Sequence, residues 1–176
     1  MKLTFKKYIY TLLFLVSFLN TEAQEQSTSP NFIFYLADDQ DLLDYGVYGN
    51  PKVHTPAVDA LAKEGMRFTN FYTSQAICAP SRSQIFTGMH PVKNGCMANH
   101  LPVKSNLKTV IHYLEAEGYD VVLAGKGHVK PNSVFQWSKY FKSINHRYLP
   151  LDKLENYLEK TKKPFCVFVA SDFPHG

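Results

Sequence analysis

Cysteine is scarce in this sequence, with three residues in 176: Cys78, Cys96 and Cys166. An odd number leaves at least one unpaired within the chain and excludes a disulfide-knot scaffold. There is no C-x-x-C and no H-x-x-x-H, so a structural zinc site is not expected. A basic run interleaved with aromatics is also lacking, which leaves no case for nucleic-acid binding. No apolar stretch reaches the ~20 residues that a membrane-spanning helix needs, so no stable membrane span is expected. The low-complexity bias of a disordered, collagen-like or coiled-coil chain is missing too. What is present is 45% hydrophobic, 14% aromatic and 19% charged residues. That composition is globular, and the length suits one domain with its own core.

The first 23 residues read as an address. Lys2, Lys6 and Lys7 precede a 12-residue apolar run, Tyr8–Leu19, and small residues stand at Thr21 and Ala23. This is the pattern of a secretory signal peptide cleaved near Ala23, which makes the protein exported, periplasmic or secreted. The net charge is +4; removing three lysines and Glu22 with the signal leaves +2. Residues 24–30 form a polar linker. Cys96 and Cys166 are able to bridge in an exported protein, but Cys166 lies in an apolar strand and reads as a small buried hydrophobe.

From Asn31 the chain alternates strands and helices. Asn31–Ala37 is a continuous apolar run, as expected of a strand buried on both faces. Thr55 supplies an N-cap, Pro56 the first helical position, Val58, Leu61 and Ala62 an apolar stripe, and Gly65 the stop. Met66–Thr73 reads as a second strand, and a short helix through Gln84 and Ile85 closes at Gly88. Leu107, Val110, Ile111 and Leu114 repeat at helical spacing up to Gly118, and the strand Asp120–Ala124 follows. Leu151, Leu154 and Leu158 mark a last helix, with Lys162 and Lys163 suiting its C-terminal dipole and Pro164 ending it. Phe165–Ala170 is the last strand. Such alternation means an α/β fold, a mostly parallel sheet sandwiched by helices.

Polar residues follow the strand ends: Asp38 and Asp39, Cys78 to Arg82, Lys126 and His128, and Asp172 with His175. In open α/β sheets ligands bind at the carboxyl ends of strands, so residues scattered along the chain converge there. Asp38 and Asp39 are either turn residues or hard-oxygen ligands suited to Ca²⁺ or Mg²⁺. Lys126, in Ala124-Gly-Lys-Gly-His-Val129, fails the P-loop spacing, and its flanking glycines suggest close approach of backbone to a ligand. Lys126 and Arg82 balance an oxyanion such as sulfate or phosphate, while His128 and His175 are candidates for proton transfer. A thiol phosphatase loop is excluded, because the arginine stands four residues after Cys78 instead of six.

Cys78-Ala79-Pro80-Ser81-Arg82, extended by Ser83-Gln-Ile-Phe-Thr-Gly88, resembles the Cys-x-Pro-Ser-Arg signature of the type I sulfatases. The resemblance runs from Asn31 to the last residue. It implies an alkaline-phosphatase-like fold and conversion of Cys78 to formylglycine by a separate maturation enzyme. It also implies Ca²⁺, with Mg²⁺ second, held by Asp38, Asp39 and residue 78. One hydroxyl of the hydrated aldehyde would attack sulfur, and the other would expel sulfate. Arg82 would hold the hydrate; Lys126 and His128 match a Gly-Lys-x-His element that contacts sulfate, and His175 matches a histidine near the leaving oxygen. Asn94-Gly95, His100, Gly125–Val129 and the closing Asp-Phe-Pro-His-Gly look like heparan N-sulfatase. They suggest a sulfated glycosaminoglycan sugar, with the N-sulfate weaker than the class. His54, His90, His112 and His146 have no such match and read as surface or packing residues.

The family also carries a second acidic pair and a further lysine in the second half of a longer chain. Residues 31–176 are therefore expected to be the N-terminal portion of a sulfatase catalytic domain, truncated and weakly active or inactive alone. Three other readings stand beside an exported sulfatase: an inactive truncation product, a non-catalytic module binding sulfated glycans, and a phosphoesterase of the same superfamily with Cys78 unmodified.

Overall fold

The computed structural model describes residues 29–145 and 148–175. The signal segment 1–23, linker residues 24–28, His146 and Gly176 lie outside them. Four strands form one sheet, all pairs parallel: β1 (Phe32–Asp38), β2 (Asp120–Gly125), β3 (Lys139–Phe141) and β4 (Phe165–Pro174), in the order β1-β4-β2-β3. The helices are α1 (Pro56–Glu64), α2 (Cys78–Thr87), α3 (Pro91–Asn94), α4 (Val110–Ala116) and α5 (Leu151–Leu158). Two short 3-10 turns, Leu42–Asp44 and Gly46–Tyr48, follow β1.

The sheet separates two cores. On one face Val121, Leu123, Cys166 and Phe168 pack with Phe86 of α2, Ile111 of α4 and Phe135. Phe86 fixes α2 to this face: its ring stands edge-on to Phe168 at 5.1 Å and to Trp137 at 5.0 Å. The other face is covered by α5, whose Leu154 meets Val122, Ala124 and Val167. Apolar burial on this scale is what holds the layers together. Cys96 and Cys166 are both buried in the first core, and all three cysteines are free thiols.

Several expectations need correction. β1 is an edge strand, not one buried on both faces. Phe34 stacks on Phe168 at 4.8 Å, but Ile33 and Tyr35 point to the opposite face and are 68% and 64% exposed. Among the described residues β1 and β3 are the edge strands, and the last strand, β4, is central. Met66–Thr73 is not a strand. Among the described strands it has no partner, and Phe71 and Tyr72 stand in solvent. Among the described residues its apolar side chains stay exposed, and the helix α1 buries no residue.

Local signals also act differently from the reading. Thr55 precedes Pro56 as expected, but its hydroxyl accepts the Gly46 amide (3.0 Å) and donates to Asp59 (3.0 Å) instead of capping α1. α2 begins at Cys78 itself. α4 begins at Val110 rather than Leu107, and His112 Nδ1 accepts the Thr109 amide at 3.1 Å. His90 likewise accepts the Val92 amide at the start of α3. Two histidines read as surface or packing residues are thus helix caps.

Candidate active site at the carboxyl edge of the sheet

The ends of β1, β2 and β4 and the first turn of α2 meet at one edge. Cys78 stands at the first position of α2, and the Ala79 amide is taken by Asn99 Oδ1 at 3.0 Å. One turn on, Arg82 points inward from the helix and is 4% exposed. Its guanidinium donates to the Lys126 carbonyl (2.8 Å) and lies 3.4 Å from Asp38 Oδ1. The ammonium of Lys126 donates to Asp38 Oδ2 and also pairs with Asp172 at 3.3 Å. Asp39, turned by a left-handed φ of 56°, meets His175 Nδ1, and the His175 amide donates to the Asp38 carbonyl. Every residue expected at the site is therefore at this edge.

Burial alone would raise the Asp38 carboxyl. The hydrogen bond from Lys126 and the charges of Arg82 and Lys126 outweigh burial and hold it below the ordinary carboxylate value. Lys126 is the mirror image: burial would lower it, and bonding to Asp38 raises it. Burial and then the neighbouring Asp38 charge push the Cys78 thiol up. A thiol so held is a poor nucleophile at neutral pH. His128 is depressed by burial, then by Lys126 and His100, so its imidazole is neutral there. Its Nδ1 is buried without a hydrogen-bond partner among the described residues. The His100 ring stands 5.1 Å away, centroid to centroid. Asp39, His100 and His128 all take left-handed φ, which costs a non-glycine residue about 1–3 kcal/mol each.

The donor set fits a hard divalent cation. Asp38, Asp39 and Cys78 bring ligand atoms within 4.8 Å of one another. Two carboxylates favour Ca²⁺ or Mg²⁺ over a thiolate-seeking metal.

The glycines flanking Lys126 are required by packing, and both also line the cavity beside it. At Gly125 (φ 102°) a Cβ would overlap the Ala170 carbonyl of β4. At Gly127 it would come within 2.9 Å of the Tyr140 hydroxyl, which accepts the Gly127 amide at 3.1 Å. Asn94 is equally structural: buried, it donates to Ser83 Oγ and the Met89 carbonyl, and accepts the Cys96 amide at 2.8 Å. Tyr140 was missed in the sequence. β3 is three residues long and carries too little pattern to be read, and only the aromatic pair Tyr140-Phe141 hinted at it.

A cavity of about 970 Å³ opens beside Lys126, His128 and His175, walled on its far side by Tyr140, Lys142 and Ser143.

Comparison with known proteins places this edge in context. A family model described as Sulfatase matches residues 30–176. An ulvan-active sulfatase from Formosa agariphila is 58% identical over 155 residues, covering 85% of this chain and 31% of the relative. Human arylsulfatase A is 40% identical over 114 residues, 60% of this chain and 22% of that one. Among solved structures, that of BT4656 with its substrate D-glucosamine-2-N,6-O-disulfate superposes with a TM-score of 0.71 at 28% identity. It covers 83% of this chain and 35% of its own. The chain thus spans about a third, or less, of the length of these relatives.

Proposed function

The chain belongs to the sulfatase family, and from this premise we propose that it carries most of the active site of an exported sulfuric ester hydrolase. Its substrate is a sulfated sugar of a polysaccharide. One observation carries the reading: Cys78, at the start of α2, shares a single sheet edge with two carboxylates, the buried Arg82 and the half-buried Lys126. The residue-by-residue roles rest on that juxtaposition and on the family resemblance.

Hydrated formylglycine, made from Cys78 by a maturation enzyme, would supply the attacking hydroxyl. Asp38, Asp39 and residue 78 would hold a divalent cation, Ca²⁺ before Mg²⁺, which when bound would supply Lewis-acid polarisation of a sulfuryl oxygen. Arg82 fixes the Asp38 carboxylate and the Lys126 backbone together, so the anion meets a preorganised edge that needs no rearrangement. Lys126 offsets the charge that develops on sulfate oxygens. His128, neutral at pH 7, offers a buried nitrogen that accepts a proton or hydrogen bond. His175, exposed at the rim and paired with Asp39, stands where a leaving oxygen would need its proton. The raised thiol of Cys78 speaks against a phosphoesterase that uses it unmodified.

Among the described residues no helix is long and apolar enough to cross a membrane. We place the protein outside the cytoplasm on the signal pattern of residues 1–23, with 24–30 as linker and 31–176 as the N-terminal portion of a sulfatase catalytic domain.

The test is the mass of the Cys78 peptide after co-expression with a maturation enzyme, joined to assays with an aryl sulfate and a sulfated disaccharide. Conversion to formylglycine removes about 18 Da. An unmodified thiol would sink the sulfatase chemistry. Binding of the sulfated disaccharide without turnover would favour the glycan-binding module.

A further inference from the structure

The cavity beside Lys126 is far larger than a sulfate and falls in the size range of sites that enclose a whole small ligand. The remainder must take the sugar that carries the sulfate. Two lysines line it, and they are not equivalent. Lys126 is spent on Asp38 and Asp172. Lys142 has no carboxylate within ion-pair distance among the described residues, and its ammonium stands 5.5 Å from the centre of the Tyr140 ring. Such a cation–π contact orients an otherwise mobile lysine at a cost of little affinity for a true anion.

A second cavity, of about 440 Å³, shares Gly127, His128, Tyr140 and Lys142 with the first. Trp137 and Phe135 line it. Tyr140 and Lys142 therefore border both cavities, where a ligand longer than one sugar would meet them.

We infer that Lys142, held over Tyr140, is an anion subsite reading a second negative group, a uronate carboxylate or a further sulfate, on the glycan that bears the scissile sulfate. The inference rests on the proposed sulfatase reading and adds the charge of the substrate. Lys126, Lys142 and Lys130 face the two cavities against the single carboxylate of Asp172, so the surroundings favour a polyanion.

The experiment is calorimetric binding of the full chain to matched probes, with K142Q and K142R beside the wild type. The first probe pair is a sulfated glucosamine–uronate disaccharide and its uronate methyl ester; the second is singly and doubly sulfated glucosamine. The wild type is expected to prefer the more anionic member of at least one pair roughly two- to fivefold, the size of one exposed ion pair. K142Q should erase that preference and K142R keep it. A preference in the first pair identifies the carboxylate, and in the second the sulfate. Equal binding within both pairs, or a preference that survives K142Q, overturns the subsite. The sulfatase reading fails separately if the unsulfated disaccharide binds as well as the sulfated one.

Discussion

Arg82, five residues into α2, lies 3.4 Å from Asp38 at the end of β1, with both side chains 4% exposed. Its other nitrogen donates to the Lys126 carbonyl just past β2. One guanidinium thus ties a helix and two strands that the chain separates by 44 residues each way.

Arg82→Ala leaves Asp38 buried with one cation fewer. Removing one partner of a buried pair costs up to about 3–5 kcal/mol where the remaining charge is uncompensated, and Lys126, still paired with Asp38, sets the loss here towards the lower end. Arg82→Lys should be nearly as damaging, since an ammonium does not reproduce the two-pronged reach to Asp38 and Lys126. Urea unfolding of the three proteins checks this. An Arg82→Ala loss below 1 kcal/mol would show that the pair does not hold the edge together.

Gly127 and Tyr140 are expected to couple. Gly127→Ala pushes a methyl against the Tyr140 hydroxyl and should cost about 1–3 kcal/mol by overpacking. Tyr140→Phe leaves the buried Gly127 amide without its acceptor, at a similar cost of about 1–3 kcal/mol. In the double variant the hydroxyl is already gone, so the methyl finds room and the combined cost falls short of the sum. A double-mutant cycle measured by denaturation decides it. Strict additivity would mean that the two residues do not share this space.

This coupling also shows why part of the site was legible in the sequence and part was not. Asp38, Lys126 and His175 follow apolar runs of strand length, so their place at strand ends could be argued from pattern alone, whereas Cys78 follows no strand and stands out only by its motif. Tyr140 stands on a three-residue strand that owes its existence to pairing with β2, a tertiary effect with no local signature. The misreadings have the same root. Apolar runs such as Phe32–Tyr35 and Met66–Tyr72 specify that a surface should be covered, not that the described residues cover it. The glycines around Lys126 stand out in the sequence, and their tight contacts with β4 and Tyr140 come from the tertiary fold.

Divalent cation binding should register as stabilisation. A ligand that binds the folded state raises stability by about 2.7 kcal/mol when present at a hundredfold over its Kd. Calcium chloride is therefore expected to raise the Tm of the wild type, with magnesium chloride weaker. Asp39→Asn should lose most of the rise, because it removes one of two carboxylates from the cluster with Cys78. Thermal unfolding with and without a chelator measures it. An identical calcium response in Asp39→Asn would remove Asp39 from the ligand set.

Asp120 opens β2, at the end opposite the carboxyl edge of the strand, and gathers three donors. Tyr157 and Thr161 hydroxyls each donate to one oxygen at 2.9 Å, and Lys163 pairs with the other at 3.3 Å. Burial would raise the Asp120 carboxyl, but these donors outweigh it and hold it below the ordinary value. Tyr157 is pushed up to about 12 by burial and then by Asp120. The signs follow by linkage. A depressed carboxyl stabilises the fold above its unfolded pKa, and that contribution disappears as pH falls through the folded value. A raised phenol stabilises below its unfolded pKa, and that contribution is lost as pH rises towards about 12. Asp120→Asn should therefore be less stable than the wild type at neutral pH. The gap should close in acid, and the Tyr157 phenol should ionise nearer its ordinary value. Urea midpoints against pH, with tyrosinate absorbance and Tyr157→Phe to assign the phenol, test both limbs. A gap that persists in acid would mean that Asp120 acts by shape and not by charge.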